Sequence, residues 1–216
     1  MLKGYSLTGV LLSVAVAALI AGCGSTQPAR MYTLTPLEHH ESKPTVEQGM
    51  DQVSVSIAPV EVPDYLDRLQ IVTRDGNNGL KLAEFDRWGG SLGENISMVM
   101  VENLSLLLGS DRVFTYPRLS PEKPDVRVGV RVLRLDCMPG DRVELKAQWI
   151  VTVGQEKQVA ANRLSTFTER VSDGRYETLV AAVSRAVGQL SREIAKEIAA
   201  RPRAVQTASP TAEIHP

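Results

Sequence analysis

The chain reads as an α+β fold, a two-layer sandwich in which a mostly antiparallel sheet carries two helices on one face. Three observations point to it. Across residues 125–171, three long segments alternate apolar with polar or charged residues. Met138-Pro139-Gly140-Asp141 and Gly154-Gln155-Glu156-Lys157 separate them as turns, so they read as strands covered on one side. Residues 91–108 and 174–200 instead repeat apolar residues at spacings of three and four, the period of a helix with one buried face. Aromatics make up only 5% of the chain, so the core must come mainly from Val, Leu, Ile and Ala.

Each element has its own signal. Tyr32-Thr33-Leu34 reads as a short strand, and residues 38–52 carry no apolar period and read as an exposed loop. Val53-Ser54-Val55-Ser56-Ile57 alternates strictly, as a half-buried strand does, until Pro59 and Pro63 end it. Residues 70–74 and 80–85 flank Asp75-Gly76-Asn77-Asn78-Gly79, a hairpin signal. In the first helix Leu92, Ile96, Val99, Asn103 and Leu107 share a face, with Leu104 and Leu108 beside it. Ser91 and Glu94 suggest a capping box, and Gly109 supplies the stop. Residues 112–116 form a brief strand. The second helix stripes Tyr176, Val180, Val183, Val187, Leu190, Ile194 and Ile198, and ends at Pro202. Residues 202–216 are a Pro/Ala/Thr tail with the composition of disorder.

The N-terminus is of another kind. Lys3 precedes a 15-residue apolar run over residues 7–21, shorter than the ~20 residues a membrane-spanning helix needs. A basic start, an apolar centre and small residues before a cleavage point make residues 1–22 a signal peptide. Ile20-Ala21-Gly22-Cys23 completes a bacterial lipobox, so Cys23 is expected to carry diacylglycerol on sulfur and an acyl chain on its new amino group. Cleavage there removes 22 of the 216 residues and leaves 194. Residues 23–29 then form a lipidated tether and residues 30–201 one domain. Gly24 and Ser25 follow Cys23, without the Asp at the next position that retains lipoproteins in the inner membrane. The expected address is therefore the outer membrane, facing the periplasm.

Composition excludes several functions. The formal net charge is −1, and −2 once Lys3 is cleaved away, so no basic stripe suits nucleic acid. With Cys23 lipidated, Cys137 has no intramolecular disulfide partner and reads as a small residue at a strand end. No catalytic or metal motif is present, so neither an enzyme nor a cofactor is expected. His39-His40-Glu41 lies in a polar loop, where adjacent histidines are usually solvated rather than metal-bound. Asp64, Asp67, Glu84 and Asp86 alternate with Arg68, Arg74 and Arg87, a pattern of ion pairs more than of acid–base catalysis. Tyr65, Arg68, Arg87 and Trp88 stand apart, because Tyr, Trp and Arg carry binding energy at interfaces. The alternative is that Tyr65 and Trp88 plug the ends of a core short of aromatics.

Met31-Tyr32-Thr33-Leu34, Pro63-Asp64-Tyr65-Leu66-Asp67-Arg68, Gln70-Ile71-Val72-Thr73-Arg74, Ala83-Glu84-Phe85-Asp86-Arg87-Trp88 and Glu102-Asn103-Leu104 resemble, in order and spacing, the ABC-type transport auxiliary lipoproteins. The resemblance runs from about Arg30 to Arg201. It departs at Leu69, where relatives often have proline, and at Gly89-Gly90, which replaces a more acidic, proline-containing stretch. It implies a non-enzymatic subunit of an intermembrane lipid transport system, docking an MCE-domain protein of the PqiB type to the outer membrane. It further implies a ring-shaped homo-oligomer and contact with outer-membrane lipids, and it makes Tyr65, Arg68, Arg87 and Trp88 candidates for subunit or partner contacts. The other reading kept open is a lipid carrier with its own apolar cavity.

Overall fold

The computed structural model describes residues 27–38, 50, 52–116, 123–154 and 157–200. The signal peptide, Cys23, His39-His40-Glu41, most of the 38–52 loop and the 202–216 tail lie outside the described residues. The elements run β1 (Arg30–Tyr32), β2 (Val55–Ile57), β3 (Gln70–Asp75), β4 (Gly79–Trp88), α1 (Leu92–Leu108), β5 (Val113–Thr115), β6 (Val126–Met138), β7 (Arg142–Val153), β8 (Gln158–Arg170) and α2 (Tyr176–Ala199).

The α+β sandwich is present, with the sheet divided in two. A five-stranded sheet has the order β5-β2-β6-β7-β8, and a three-stranded sheet has the order β1-β4-β3. The expected meander is antiparallel from β6 to β8. Short β2 is parallel to both β5 and β6, and β1 is parallel to β4. Parallel pairs join residues far apart in sequence, which local alternation does not reveal. Helix α1 covers the β5–β2 end and α2 covers β6, β7 and β8, and the helices pack on each other.

Periodicity set the buried faces. Val126, Val128, Val130 and Val132 of β6 and Val143, Leu145, Ala147, Trp149, Val151 and Val153 of β7 all point into the core. The α2 stripe from Val180 to Ile198 is buried, with Tyr176 half-buried at its start. On α1, Leu92, Ile96, Val99, Asn103 and Leu107 are buried as expected. Gly109 takes φ 63°, which a side chain disfavours, and its N–H reaches the Ser105 carbonyl to close the helix.

Three local expectations are corrected. Ser91 makes no side-chain cap. Its carbonyl accepts from the Asn95 N–H and from Asn95 Nδ2, while Ser97 Oγ accepts from the Val60 N–H and donates to the Gly93 carbonyl. β2 is buried on both faces rather than one, being flanked by β5 and β6. Just before it, Ser54 is buried too, its hydroxyl donating to Asp125 and accepting from the Asp125 N–H. The first strand ends at Tyr32, and residues 33–38 continue as a strap across the helices. There the Thr35 N–H donates to Ser184 Oγ at 3.1 Å and the Leu37 N–H donates to Asn103 Oδ1 at 2.7 Å. Gly188 of α2 admits Leu37, since a Cβ there would meet the Leu37 side chain at 2.7 Å.

Candidate docking surface

The segment that leads to the candidate residues first runs along β6. The Ala58 N–H bonds the Val128 carbonyl, the Glu61 N–H the Val130 carbonyl, and the Val132 N–H the Glu61 carbonyl. Glu61 also pairs with Arg131 at 2.5 Å, but both side chains are exposed, so the pair contributes little. Pro63 then starts a turn whose carbonyl accepts from Leu66, and that turn drives Leu66 into the core. The chain leaves β6 here and enters β3.

A charged junction ties the two sheets where they meet. Arg74 of β3 contacts Asp136 of β6 at 2.6 Å. Arg134 reaches the other Asp136 oxygen at 2.9 Å, and Glu144 of β7 at 2.6 Å. Asp136 is buried, so its two guanidinium partners offset the cost of taking a carboxylate from water. Tyr65 lies beside this junction. Its hydroxyl is buried and faces the Leu135 backbone without closing a hydrogen bond, and burial raises its pKa.

The three-stranded sheet has its own polar clamp. Arg30 grips Asp86 through two bonds of 2.8 and 2.9 Å, and the single Tyr32 O–H is shared between Asp86 at 2.8 Å and Glu177 of α2 at 3.1 Å. Burial, then these carboxylates, push the Tyr32 pKa up. Asp86 therefore pairs with an arginine far away in sequence, not with its neighbours Arg68, Arg74 or Arg87.

The four candidates separate. Trp88 is 2% exposed and belongs to the core, so in the monomer its indole does not reach a partner. Tyr65 is half-buried with its polar end inside. Arg68 is exposed, and no hydrogen bond or ion pair holds its side chain among the described residues. Arg87 is half-buried with its Nε lacking an acceptor. Arg87 lies between Met31 of β1 and Gln70 of β3, and Trp88 donates its N–H to the Leu69 carbonyl. Register thus brings Arg68, Arg87 and Trp88 to one end of this sheet, while Tyr65 stays at the junction.

Sequence reasoning missed Asp136, Arg134 and Asn103 as structural polar groups. Asn103 did carry a signal, as the one polar residue on an apolar helix face. Cys137 is buried near the end of β6, and burial pushes its thiol up to about 12, far from nucleophile behaviour. No group of three metal-ligating side chains occurs among the described residues. An open groove of about 220 Å³ lies over Gly129, bordered by Pro59, Arg131, Ile150 and Asn162. A wider depression of about 760 Å³ along α1 is lined by Leu37 and Leu106 but also by Glu102 and Asp111, which do not suit an acyl chain. The inward side chains of both layers form one packed cluster.

Comparison with known proteins decides the family. Residues 32–195 match the ABC-type transport auxiliary lipoprotein component family. The chain belongs to that family. The match spans β1 to α2, essentially the whole sandwich. Protein XCC0632 from Xanthomonas campestris shares the fold with a TM-score of 0.63 at 16% identity, over 80% of this chain and 95% of that one. An uncharacterised protein of known structure gives a TM-score of 0.64 at 19% identity, over 80% of this chain and 99% of that one. At these identities the likeness is one of fold. No curated relative matches the chain. The protein is therefore an auxiliary lipoprotein of ABC-type transport, and its family is not one of enzymes.

Proposed function

We propose that this lipoprotein, of the PqiC type, is held by acylated Cys23 on the periplasmic face of the outer membrane, where it docks the far end of an MCE-domain protein of the PqiB type. The observation that carries this is the family match over the folded domain, joined to the lipobox at Cys23. The packed core supports a docking role over carriage of lipid inside the domain itself. A homo-oligomeric ring suits the role, because a symmetric tube is met most simply by a symmetric collar. Two or more acyl chains hold such a collar stably, where one gives only reversible binding.

Membrane fractionation with crosslinking tests this reading. Wild-type protein should sediment with the outer membrane and crosslink to the MCE-domain protein. Cys23→Ser should release it from the outer membrane. A variant that stays there as firmly as wild type would remove Cys23 as the anchor, and the lack of any crosslink to an MCE-domain protein would remove the docking role.

A further inference from the structure

We infer that the end of the three-stranded sheet where β1 and β4 finish, a three-residue strand away from the tether, rests on the bilayer, through a lipid-contact patch of Met31, Arg68, Leu69 and Arg87. The inference rests on the reading of Cys23 as the acylated anchor, and it adds which surface meets the lipid. Arg30 is seven positions beyond Cys23, with six residues between them. Fully extended, that stretch spans at most about 25 Å, so β1 is held close to the headgroups.

The register gathers the patch within a few residues of Arg30, at the C-terminal ends of β1 and β4. Met31 opposes Arg87 across the parallel β1–β4 pair, and Gln70 opposes Arg87 on its other side. Leu69 and Arg68 immediately precede Gln70, and Leu69 is tied to Trp88 through its carbonyl. Neighbouring strands lie roughly 5 Å apart, so the backbones of the four residues fall within about two strand spacings of one another. Met31 is 57% exposed and Leu69 49%.

A single exposed apolar residue is ordinary on a protein surface. Here two occur beside two arginines with no ion-pair partner among the described residues, one short strand away from where the lipid-bearing segment enters the domain. Arg30 differs, because Asp86 already neutralises it. A guanidinium fork matches a phosphodiester through two parallel hydrogen bonds, and it is less strongly hydrated than an ammonium. Met31 and Leu69 are placed to enter the boundary between headgroups and acyl chains. Exposed Asp67 beside Arg68 keeps the patch from being broadly basic. Recognition therefore rests on contact with phosphate rather than on long-range attraction. Contact at this end orients the domain and leaves the groove over Gly129 and the helical layer free for protein partners.

The test uses the full acylated protein in vesicles of phosphatidylethanolamine and phosphatidylglycerol. A fluorophore is placed through Met31→Cys, Leu69→Cys or, on the far edge of the other sheet, Leu164→Cys, while buried Cys137 stays unlabelled. Doxyl-labelled lipid should quench the first two labels several-fold more than the third, and Arg68→Ala should reduce that quenching. Equal quenching at all three positions, or none at 31 and 69 in protein that floats with the vesicles, overturns the inference and leaves the anchor standing. Protein that does not float overturns the anchor and the patch together. Labels at 31 and 69 shielded from both lipid and a water-soluble quencher assign the patch to a subunit contact, which also overturns it.

Discussion

Replacing Asn103 with alanine is expected to loosen the strap that joins the N-terminal segment to the helices. Asn103 is fully buried on α1. Its Oδ1 accepts from the Leu37 N–H at 2.7 Å and its Nδ2 donates to Ser191 Oγ of α2 at 3.2 Å. The substitution removes the second bond, a net loss of about 1 kcal/mol, and strands the Leu37 N–H, at a cost of about 1–3 kcal/mol. Leu37 is half-buried, so water partly reaches this site and the lower end applies. The better helix propensity of alanine returns roughly 0.5 kcal/mol. The expected loss is about 1.5 kcal/mol, a sizeable share of the ~5–15 kcal/mol that holds a domain of this size. Urea unfolding reads it as a lower midpoint with an unchanged slope. Amide exchange reads it as lost protection at Leu37, while protection in β6 and β7 falls only with global stability. Ser191→Ala alone should cost about 1 kcal/mol. An Asn103→Ala midpoint within about 0.5 kcal/mol of wild type, the range of inert surface changes, or intact protection at Leu37, would refute the strap.

Trp88→Ala should lower stability by about 3–5 kcal/mol, because it empties a core site, and an unchanged thermal melt would contradict its burial. Tyr65→Phe should be neutral or slightly stabilising, since the buried hydroxyl it removes has no hydrogen bond. A loss above about 1 kcal/mol in urea would show that the hydroxyl is satisfied after all. Arg175 holds the Asp173 carboxyl down at about 2, from 3.8. A depressed carboxylate stabilises the fold above its unfolded pKa and loses that contribution as pH falls, so acid titration should show a stability loss between those values that Asp173→Asn abolishes. The Cys137 thiol, raised by burial, should react with a thiol reagent at pH 8 only as fast as the domain opens, and rapid labelling of native protein would contradict its environment.

How far the chain could be read depended on the range of each interaction. Helix faces and the β6–β7–β8 meander repeat within a few residues, so Val126 to Val132 and Val180 to Ile198 announced their burial by spacing alone. The β3–β4 hairpin was equally local, with Asp75 opposite Gly79 across its turn. The division into two sheets was not legible. It depends on β1 finding β4, with Arg30 opposite Asp86, and on β2 lying between β5 and β6, pairings that span tens of residues and leave no periodic trace. At the candidate surface, residue type left Trp88 and Tyr65 open between partner contact and core plug, and burial puts the indole in the core and the phenol at the junction. A large aromatic satisfies a sparse core as readily as an interface, and only its neighbours decide which. Arg68 and Arg87 were named by type, and their lack of carboxylate partners among the described residues became visible only once Asp86 and Asp136 were seen to pair elsewhere.

The central claim is a docking role at the outer membrane. It is tested most directly by purifying the tagged, acylated protein from membranes and weighing the intact complex by native mass spectrometry. The account predicts a homo-oligomer bound to an MCE-domain protein. A lone monomer without an MCE partner, recovered under conditions that preserve other envelope assemblies, would contradict it.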